Sequence, residues 1–244
     1  MPIITAPDGS ERRTLTDAKG VALAHYTPAE RDGRVVADLF ELEVPIERAL
    51  PVILAELRGM RVAGSEALGR ALLAAGATPG RHAHVYSHDL RERPAITAGF
   101  ELTPVDRPAA ELLPAYLAAH PPEHVDTPVI ANEDSHQYLT GVLAGSLGPV
   151  LDCSGLAIAD GRVVGGILVA EATDAPPPVG GPWVMELFRA PGAPGAGRAL
   201  LQRALTLCEG PKLGLTVTEG NGRAVRLYES LGFERVSTTY SVNL

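Results

Sequence analysis

The sequence predicts an α/β fold of the mixed α+β type, in which helices flank a mostly antiparallel sheet. Strand-like and helix-like patterns mostly alternate along the 244 residues, which is typical of a mixed sheet covered by helices. Two β-rich runs flank Asp160-Gly161, a dipeptide that strongly favours a tight hairpin turn. Two segments of the chain also share one layout of helix cap, helix and glycine stop, which indicates an internal repeat.

Composition and charge limit the kinds of partner. The chain is 45% hydrophobic and 20% charged, so it can bury a substantial core. A net charge of −8 argues against nucleic acid or an anionic membrane surface as a partner. No apolar run approaches the roughly 18 residues of a membrane span, and the first residues lack the order of a signal peptide. We therefore expect a cytoplasmic protein.

The two cysteines carry little functional signal. Cys153 and Cys208 have neither the spacing of metal ligands nor that of a disulfide framework. We expect two reduced, buried thiols.

The first part of the chain, residues 1–95, is predicted to form one unit. Its periodic segments are a strand at 33–44, a helix at 46–57, a strand at 61–63, a helix at 66–76 and a strand at 82–90. Ser65 is a favourable helix cap, and Gly76 is a favourable helix stop.

The second part, residues 96–244, is predicted to form another unit. Its segments are a strand at 101–106, helices at 109–120 and 136–147, the hairpin at 156–171, a strand at 183–188, a helix from 198, a strand at 212–218, a helix at 222–232 and closing strands at 234–244. A polar, proline-containing loop lies at 120–135.

The stretch from Trp183 to Leu201 is a candidate anion site. A mostly apolar strand leads into a turn rich in glycine and proline, and a helix pattern begins near Arg198. The first N–H groups of a helix have no partner within it, and the helix dipole attracts negative charge. This pattern fits a phosphate-binding turn, while an ordinary strand-to-helix loop is the alternative.

The repeat is visible in the positions of caps and stops. Ser65 corresponds to Asn221 and Gly76 to Gly232, with the same offset in both cases (221 − 65 = 156 and 232 − 76 = 156). Small helices with glycine stops are common, so this spacing could also arise without a repeat.

The ends of the two copies also correspond. Residues 86–90 match residues 240–244, and Leu72 stands where the second copy has Tyr228. The first copy lacks the glycine-rich turn, which indicates that it keeps the fold without the chemistry. We expect the strand at 85–90 to take, in the N-terminal unit, the place that 240–244 has in the C-terminal unit.

Residues 97–244 resemble the GNAT acetyltransferase superfamily. The first motif is Leu187-Phe188-Arg189 followed by Gly195-Ala196-Gly197-Arg198-Ala199. The second, more specific motif comprises Asn221, Ala224, Leu227-Tyr228-Glu229 and Leu231-Gly232-Phe233. The resemblance implies the GNAT acyl-CoA N-acyltransferase fold, in tandem with a degenerate N-terminal half.

The resemblance implies acetyl-CoA as cosubstrate, with no metal. The residues that it assigns to cofactor binding are Leu187, Phe188, Arg189, Gly195, Ala196, Gly197, Arg198, Ala199 and Asn221. The loop departs from the family pattern, because its first position falls on Gly192 and it is about two residues short. Pro194 also lacks an N–H group, so fewer donors are expected around the pyrophosphate.

Two residues are candidates for catalysis. The resemblance makes Tyr228 the general acid that protonates the departing thiolate; a tyrosine at the edge of the core is the alternative. Glu186 is the acid of the central strand and is either the general base or a strand residue facing solvent. A backbone N–H near Phe188 or Arg189 could polarise the thioester carbonyl. Arg189 could instead pair with a surface acid.

Two polar clusters have structural as well as functional interpretations. Three polar residues lie close together in the sequence, namely Glu133, Asp134 and His136. We favour a cap at the start of a helix for them over a part in binding the amine substrate. Three histidines lie on one face of a predicted strand, at a spacing that metal ligands can have: His82, His84 and His88. The sequence offers no fourth ligand beside them. We expect no metal.

The leading hypothesis is an acetyl-CoA-dependent N-acetyltransferase that acts on a primary amine of a small molecule or peptide. A non-catalytic CoA-binding sensor or scaffold is the alternative. A dinucleotide-binding protein ranks last, because the pattern that starts at Gly195 fails at Leu200. The sequence leaves both a monomer and a homodimer open.

Overall fold

The computed structural model describes residues 3–5, 11–31, 34–96, 99–126, 134–172 and 181–244. The chain forms two compact units. Unit 1 comprises Met1–His84 and Ser237–Leu244, and unit 2 comprises Val85–Val236. The sequence placed one division, between residues 95 and 96. The compact units divide the chain twice, so the C-terminal segment belongs with the first part of the chain.

Strands and helices alternate through most of the chain. The N-terminal elements are β1 (Ile3–Thr5), β2 (Glu11–Thr16), β3 (Ala22–Arg31), β4 (Arg34–Leu42), α1 (Ile46–Glu56), β5 (Arg61–Ser65), α2 (Glu66–Ala74) and β6 (Thr78–Asp89). The later elements are β7 (Glu101–Thr103), α3 (Ala109–Ala119), α4 (Ser135–Leu143), β8 (Gly155–Ala159), β9 (Arg162–Ala172), β10 (Gly181–Arg189), α5 (Ala196–Leu207), β11 (Lys212–Thr218), α6 (Gly222–Glu229) and β12 (Glu234–Asn243).

The sheet of unit 1 is mixed and mostly antiparallel. Strands β1 to β4 form antiparallel pairs in chain order, and β5 lies parallel to β4. The end of β12 pairs antiparallel with β5, with Tyr240 opposite Gly64. The apolar faces of the sheet and of α1 and α2 bury a core that includes Tyr26, Ile53 and Leu72. Burial of such side chains stabilises the fold by about 1.5–3 kcal/mol each.

Unit 2 contains the parallel pair that matters for the site. Its strands follow the order β6-β11-β10-β9-β8-β7, with β10 parallel to β11 and antiparallel to β9. The predicted hairpin joins β8 to β9, and its turn places Asp160 at φ 50° and Gly161 at φ 72°. These two left-handed residues suit the turn type that Asp-Gly favours.

Helices cover both faces of the unit 2 sheet. Alternate residues of β8 and β9 enter two different apolar clusters. One cluster contains Ala157 and Ile167 together with α5 and α6. The other contains Leu156 and Leu168 together with α3 and α4. The predicted mixed fold, a mostly antiparallel sheet with flanking helices, is confirmed.

Both predicted helix caps of the repeat are present. The side chain of Ser65 accepts a hydrogen bond from the Leu68 N–H, and that of Asn221 accepts one from the Ala224 N–H. Each helix is followed by a glycine in the left-handed region, Gly76 at φ 100° in one copy and its counterpart at φ 87° in the other. The order strand, helix, strand is therefore the same in both copies.

The two copies exchange the ends of their last strands. Residues 85–89 of β6 belong to unit 2, where β6 neighbours β11, and residues 237–243 of β12 belong to unit 1, where β12 neighbours β5. The prediction that 85–90 would lie in the N-terminal unit is wrong. Val242 is buried in the core of unit 1, whereas Val85 packs against Trp183 in unit 2.

None of the helices in the described ranges is long and apolar enough to cross a membrane.

Candidate active site

Strands β10 and β11 pair over a short length only, and we call the space between their unpaired ends, at residues 186–189 and 216–218, the cleft. The two strands are paired only at Trp183–Gly214 and Val184–Leu215. An irregularity in the register of β10 against β9 follows directly, between Val184 and Glu186. A β-bulge bends its strand and re-aims the side chains next to it. The last residues of β10 and β11 are therefore left without each other as partners.

Two backbone N–H groups of β10 face this cleft. The N–H of Ala190 donates to the Val164 carbonyl at 2.8 Å, and the same register continues through Phe188. Since successive residues of a strand alternate in direction, the N–H of Phe188 points toward β9. The N–H groups of Leu187 and Arg189 point the other way. Of the two positions suggested by the sequence, the backbone of Arg189 is the one aimed at the cleft.

The glycine-rich turn ends in the start of α5. Gly195, at φ 92°, occupies the cap position in the left-handed region, which only glycine adopts without strain. The N–H of Ala196 donates to the Ala193 carbonyl at 3.2 Å. Within the described ranges, the N–H groups of Gly197 and Arg198 have no hydrogen-bond acceptor in the protein. The helix start therefore presents two donors and the positive end of its dipole.

Three residues of the predicted cofactor set hold the turn and the helices in place. The Arg189 guanidinium donates from Nη1 to the carbonyls of Ala190 and Pro191, at 2.9 and 3.1 Å, and so braces the turn. Arg198 donates from Nη2 to the Ser230 Oγ at 2.6 Å, which links α5 to the end of α6. Asn221 caps α6. Of the same set, Leu187 is half-buried and Phe188 and Ala199 are buried.

Tyr228 lies on α6 and is 7% exposed. Its ring is 5.9 Å from that of Phe233 and 6.3 Å from that of Tyr86. Its hydroxyl makes no hydrogen bond to the described residues. Burial raises the pKa of this hydroxyl well above its ordinary value, and the negative charges of Glu186 and Asp126 raise it further. Tyr228 is thus packed at the edge of the core.

Glu186 is held from the neighbouring helix. The hydroxyl of Tyr138, on α4, donates to Glu186 Oε1 at 2.7 Å. Glu186 is half-buried and lies on β10 just after the irregularity in register. The charge of Glu186 is one of the causes that raise the pKa of Tyr228, the other residue that the sequence proposed for catalysis.

Asp126 is a residue of the site that the sequence analysis missed. Its Oδ1 accepts a hydrogen bond from the Thr218 hydroxyl at the end of β11. Its N–H donates to His124 Nδ1 at 3.2 Å, and its Oδ2 lies 3.6 Å from the same nitrogen. The available signal was the polar loop at 120–135, but no motif marked Asp126 within it.

A half-buried histidine continues this group. His120 Nδ1 lies 2.9 Å from the Tyr116 carbonyl oxygen, which accepts a hydrogen bond from the tautomer protonated at Nδ1. The ring of His120 lies 5.1 Å from that of His124. Burial lowers the pKa of His120. Its imidazole is therefore expected to be neutral at pH 7.

The remaining polar candidates have structural contacts. Asp134 caps α4 by accepting from the N–H groups of His136 and Gln137, at 3.0 and 3.1 Å, as the cap interpretation predicted. Glu133 lies outside the described residues. In unit 1 the ring of His82 stacks on that of Tyr240 at 3.8 Å.

The other two histidines of the predicted strand also pack locally. His84 Nδ1 lies 3.0 Å from the Thr238 hydroxyl oxygen, and the ring of His88 lies 5.1 Å from that of Phe233 in unit 2. Both cysteines are buried and carry no disulfide, as expected.

The sequence of unit 2 matches a known family. Residues 111–233, just over half of the chain, match the family model described as the acetyltransferase (GNAT) family. The chain belongs to this family. The match lies within unit 2 and covers the cleft, the glycine-rich turn and Tyr228. No curated protein matches the sequence.

Solved structures of GNAT proteins share the fold over nearly the whole chain. A GCN5-related N-acetyltransferase from Sphaerobacter thermophilus has a TM-score of 0.64 at 17% identity, covering 96% of this chain and 80% of that one. A tandem GNAT protein from the clavulanic acid biosynthesis pathway has a TM-score of 0.57 at 18% identity, with 95% and 81% covered. A GCN5-related N-acetyltransferase from Kribbella flavida has a TM-score of 0.52 at 19% identity, with 90% and 84% covered.

Proposed function

We propose that this GNAT protein is an acetyl-CoA-dependent N-acetyltransferase that acts on a primary amine of a small molecule or peptide. The observation that carries the proposal is the cleft between β10 and β11. The start of α5 follows β10 after the glycine-rich turn, and both Glu186 and Tyr228 belong to the same unit. Acyl transfer needs an anion site, a polarising donor and proton-transfer groups, and these residues supply each of them.

The donors of the turn and of β10 account for cofactor binding in this proposal. The CoA pyrophosphate accepts hydrogen bonds from the N–H groups of Gly197 and Arg198 at the positive end of α5. The thioester carbonyl accepts one from the N–H of Leu187 or Arg189, which face the cleft. Pro194 contributes no N–H, so the turn has fewer donors than a turn without proline would have.

The reaction proceeds by direct attack. The amine nitrogen bonds to the carbonyl carbon, the C–S bond breaks and the electron pair leaves with the CoA sulfur. An alkylamine has a pKa of about 10.4, so it arrives protonated and must first lose a proton. Glu186 accepts that proton, directly or through a water molecule, and passes it to solvent. After the attack the nitrogen loses a second proton, which balances the one that the thiolate takes up, and Tyr228 forms a hydrogen bond to the sulfur.

The environment of Tyr228 limits how it can act. Its raised pKa keeps the hydroxyl protonated throughout the neutral range. A thiol has a pKa of about 8.5, so complete transfer of the tyrosine proton to a thiolate is uphill. Tyr228 therefore stabilises the developing thiolate chiefly as a hydrogen-bond donor, and the sulfur takes its proton as the product leaves.

A thiol-release assay with acetyl-CoA and a panel of amines tests the proposal. We expect release above the rate without enzyme for at least one amine, together with a rise in Tm on acetyl-CoA binding. The shortened turn favours the second candidate, a CoA-binding protein without turnover. That protein would show the Tm shift and no thiol release. Absence of both would contradict both functions.

A further inference from the structure

Two adjacent glycines lie in the middle of β9, opposite the end of β10. Gly165 pairs with Arg189 and Gly166 with Phe188, and both glycines are buried. Neither has φ in the left-handed region, so their backbone conformation does not require glycine. A glycine inside a strand weakens it and often marks a place where another backbone approaches closely. The reason for these two glycines is therefore the space around them.

The close neighbour of Gly165 is the backbone of β10. A Cβ at this position would lie 2.9 Å from the Phe188 carbonyl oxygen and 3.4 Å from Arg189 Cα. It would also lie 3.3 Å from Cδ1 of Leu200 on α5. Side chains essentially never approach other atoms to under 3.0 Å at Cβ. A side chain at Gly165 would therefore force the peptide group between Phe188 and Arg189 to shift.

This peptide group carries the N–H that is aimed at the cleft. The Phe188 carbonyl and the Arg189 N–H belong to one planar, trans peptide group, so they point in opposite directions. The carbonyl oxygen lies against Gly165 on the β9 side, and the N–H faces the unpaired side of β10. Because the group is rigid, a displacement of the oxygen also tilts the N–H.

We propose that Gly165 is a positioning residue for acyl transfer, because its lack of a side chain lets the peptide of Phe188 and Arg189 direct its N–H at the thioester carbonyl. The inference rests on the proposed function, in which that carbonyl binds at the cleft. It also selects the N–H of Arg189 over that of Leu187. Gly165 acts through the peptide group and not by contact with the substrate. A donor of this kind works at about 2.7–3.1 Å from the oxygen on which charge develops, so a tilt weakens it.

Gly166 provides a matched control at the next position of the same strand. The atoms nearest to a Cβ there belong to side chains, at 2.6 Å in the far end of the Phe188 ring and at 3.3 Å in Leu156. Gly165→Ala and Gly166→Ala each add one methyl group to a tightly packed core, so both should lower the Tm. Of the two, only Gly165→Ala presses on the peptide that carries the donor.

The two variants should differ in kcat. Loss of one such donor lowers kcat by about 10²- to 10³-fold, and a tilt in Gly165→Ala should cost at least about tenfold. The KM for acetyl-CoA should change little, because the N–H groups at the start of α5 are untouched. Gly166→Ala should leave kcat largely unchanged. An equal fall in kcat in both variants would mean that the glycines serve packing alone.

The infrared carbonyl band of bound acetyl-CoA, isotopically labelled at the thioester carbon, reports this hydrogen bond directly and needs no acceptor amine. We expect the band to lie below that of free acetyl-CoA in the wild type and in Gly166→Ala. In Gly165→Ala it should return toward the free position. A loss of packing alone would lower the Tm of Gly165→Ala without moving the band.

A second variant separates the two contacts of Gly165 and relieves part of the crowding if Gly165→Ala folds poorly. Leu200→Val, added to Gly165→Ala, shortens the side chain on α5 and leaves the contact with the Phe188 oxygen. The band should stay near the free position. A band restored to its wild-type position would assign the effect to Leu200 and overturn the inference.

The wild-type spectrum distinguishes failure of this inference from failure of the proposed function. A band at the free position, with acetyl-CoA bound, would overturn the inference and leave the proposed function intact. A band that stays shifted in Gly165→Ala, or that loses its shift equally in Gly166→Ala, would also overturn it. Acetyl-CoA that does not bind to the wild type would contradict the proposed function and this inference together.

Discussion

The hydroxyl of Tyr138 donates a 2.7 Å hydrogen bond to Oε1 of Glu186. This bond connects α4 to the central strand β10 and fixes the orientation of the carboxylate beside the cleft. A base with a fixed orientation loses less entropy on reaching the geometry of proton transfer. The hydrogen bond from Tyr138 therefore supports the proposed role of Glu186 as general base more directly than its position in the strand does.

Glu186→Gln should lower kcat by about 10²- to 10⁴-fold, because general base catalysis is lost. In this variant only the free amine reacts, and its fraction rises about tenfold per pH unit below the amine pKa of about 10.4. The rate of thiol release should therefore climb steeply from about pH 7 to 9. Glu171→Gln, at an exposed position of β9, is the control. Unchanged kcat in Glu186→Gln would mean that Glu186 is not the general base.

Tyr228→Phe should lower kcat by at least about tenfold, because the thiolate loses its hydrogen-bond donor. Acetyl-CoA affinity should change little. The Tm should hardly move, since the ring remains and the hydroxyl has no partner among the described residues. Unchanged kcat, with chemistry shown to limit turnover, would return Tyr228 to a packing role.

Tyr86→Phe is the matched control for that variant. The ring of Tyr86 is 6.3 Å from that of Tyr228, but its hydroxyl donates to Glu229 Oε1 at 3.1 Å. Loss of this bond should cost about 1 kcal/mol, or about 2–4 °C in Tm. The kcat should stay the same. Tyr86→Phe is thus expected to lower the Tm and not kcat, whereas Tyr228→Phe is expected to lower kcat and not the Tm.

Gly197→Asp should abolish the Tm shift with acetyl-CoA, because its carboxylate repels the pyrophosphate at the start of α5. Gly197→Ala should retain the shift. A Cβ at this position meets Cδ2 of Leu227 at 3.7 Å, an ordinary contact, and the N–H remains. A shift that survives Gly197→Asp would place the cofactor elsewhere.

His88 should make the protein less stable in mild acid. Burial lowers its pKa in the folded state below the ordinary value of about 6.5. The unfolded state then binds more protons as the pH falls through about 6.5, so the free energy of unfolding decreases. His88→Gln should reduce the drop in Tm between about pH 7 and 5. The half-buried His120, whose pKa is also lowered, keeps part of the drop in the variant. An identical drop in both proteins would contradict the prediction.

Local features were predictable from the sequence because they depend on neighbouring residues. The Asp160-Gly161 turn, the caps at Ser65 and Asn221 and the glycine at the start of α5 each follow from backbone geometry within a few positions. The family resemblance added Tyr228, and the acid in the central strand added Glu186.

Long-range pairing was decided only by the tertiary structure. The spacing of the repeat could not say which sheet would receive residues 237–244, because burial of Val242 depends on a core built from the other end of the chain. The hydrogen bond between Asp126 and Thr218 joins positions far apart in sequence and leaves no local pattern. The sequence by itself determined the family and most elements after residue 33, but not β1, β2 and β3. Packing between distant segments decided the exchange of strands and the hydrogen bond between Thr218 and Asp126.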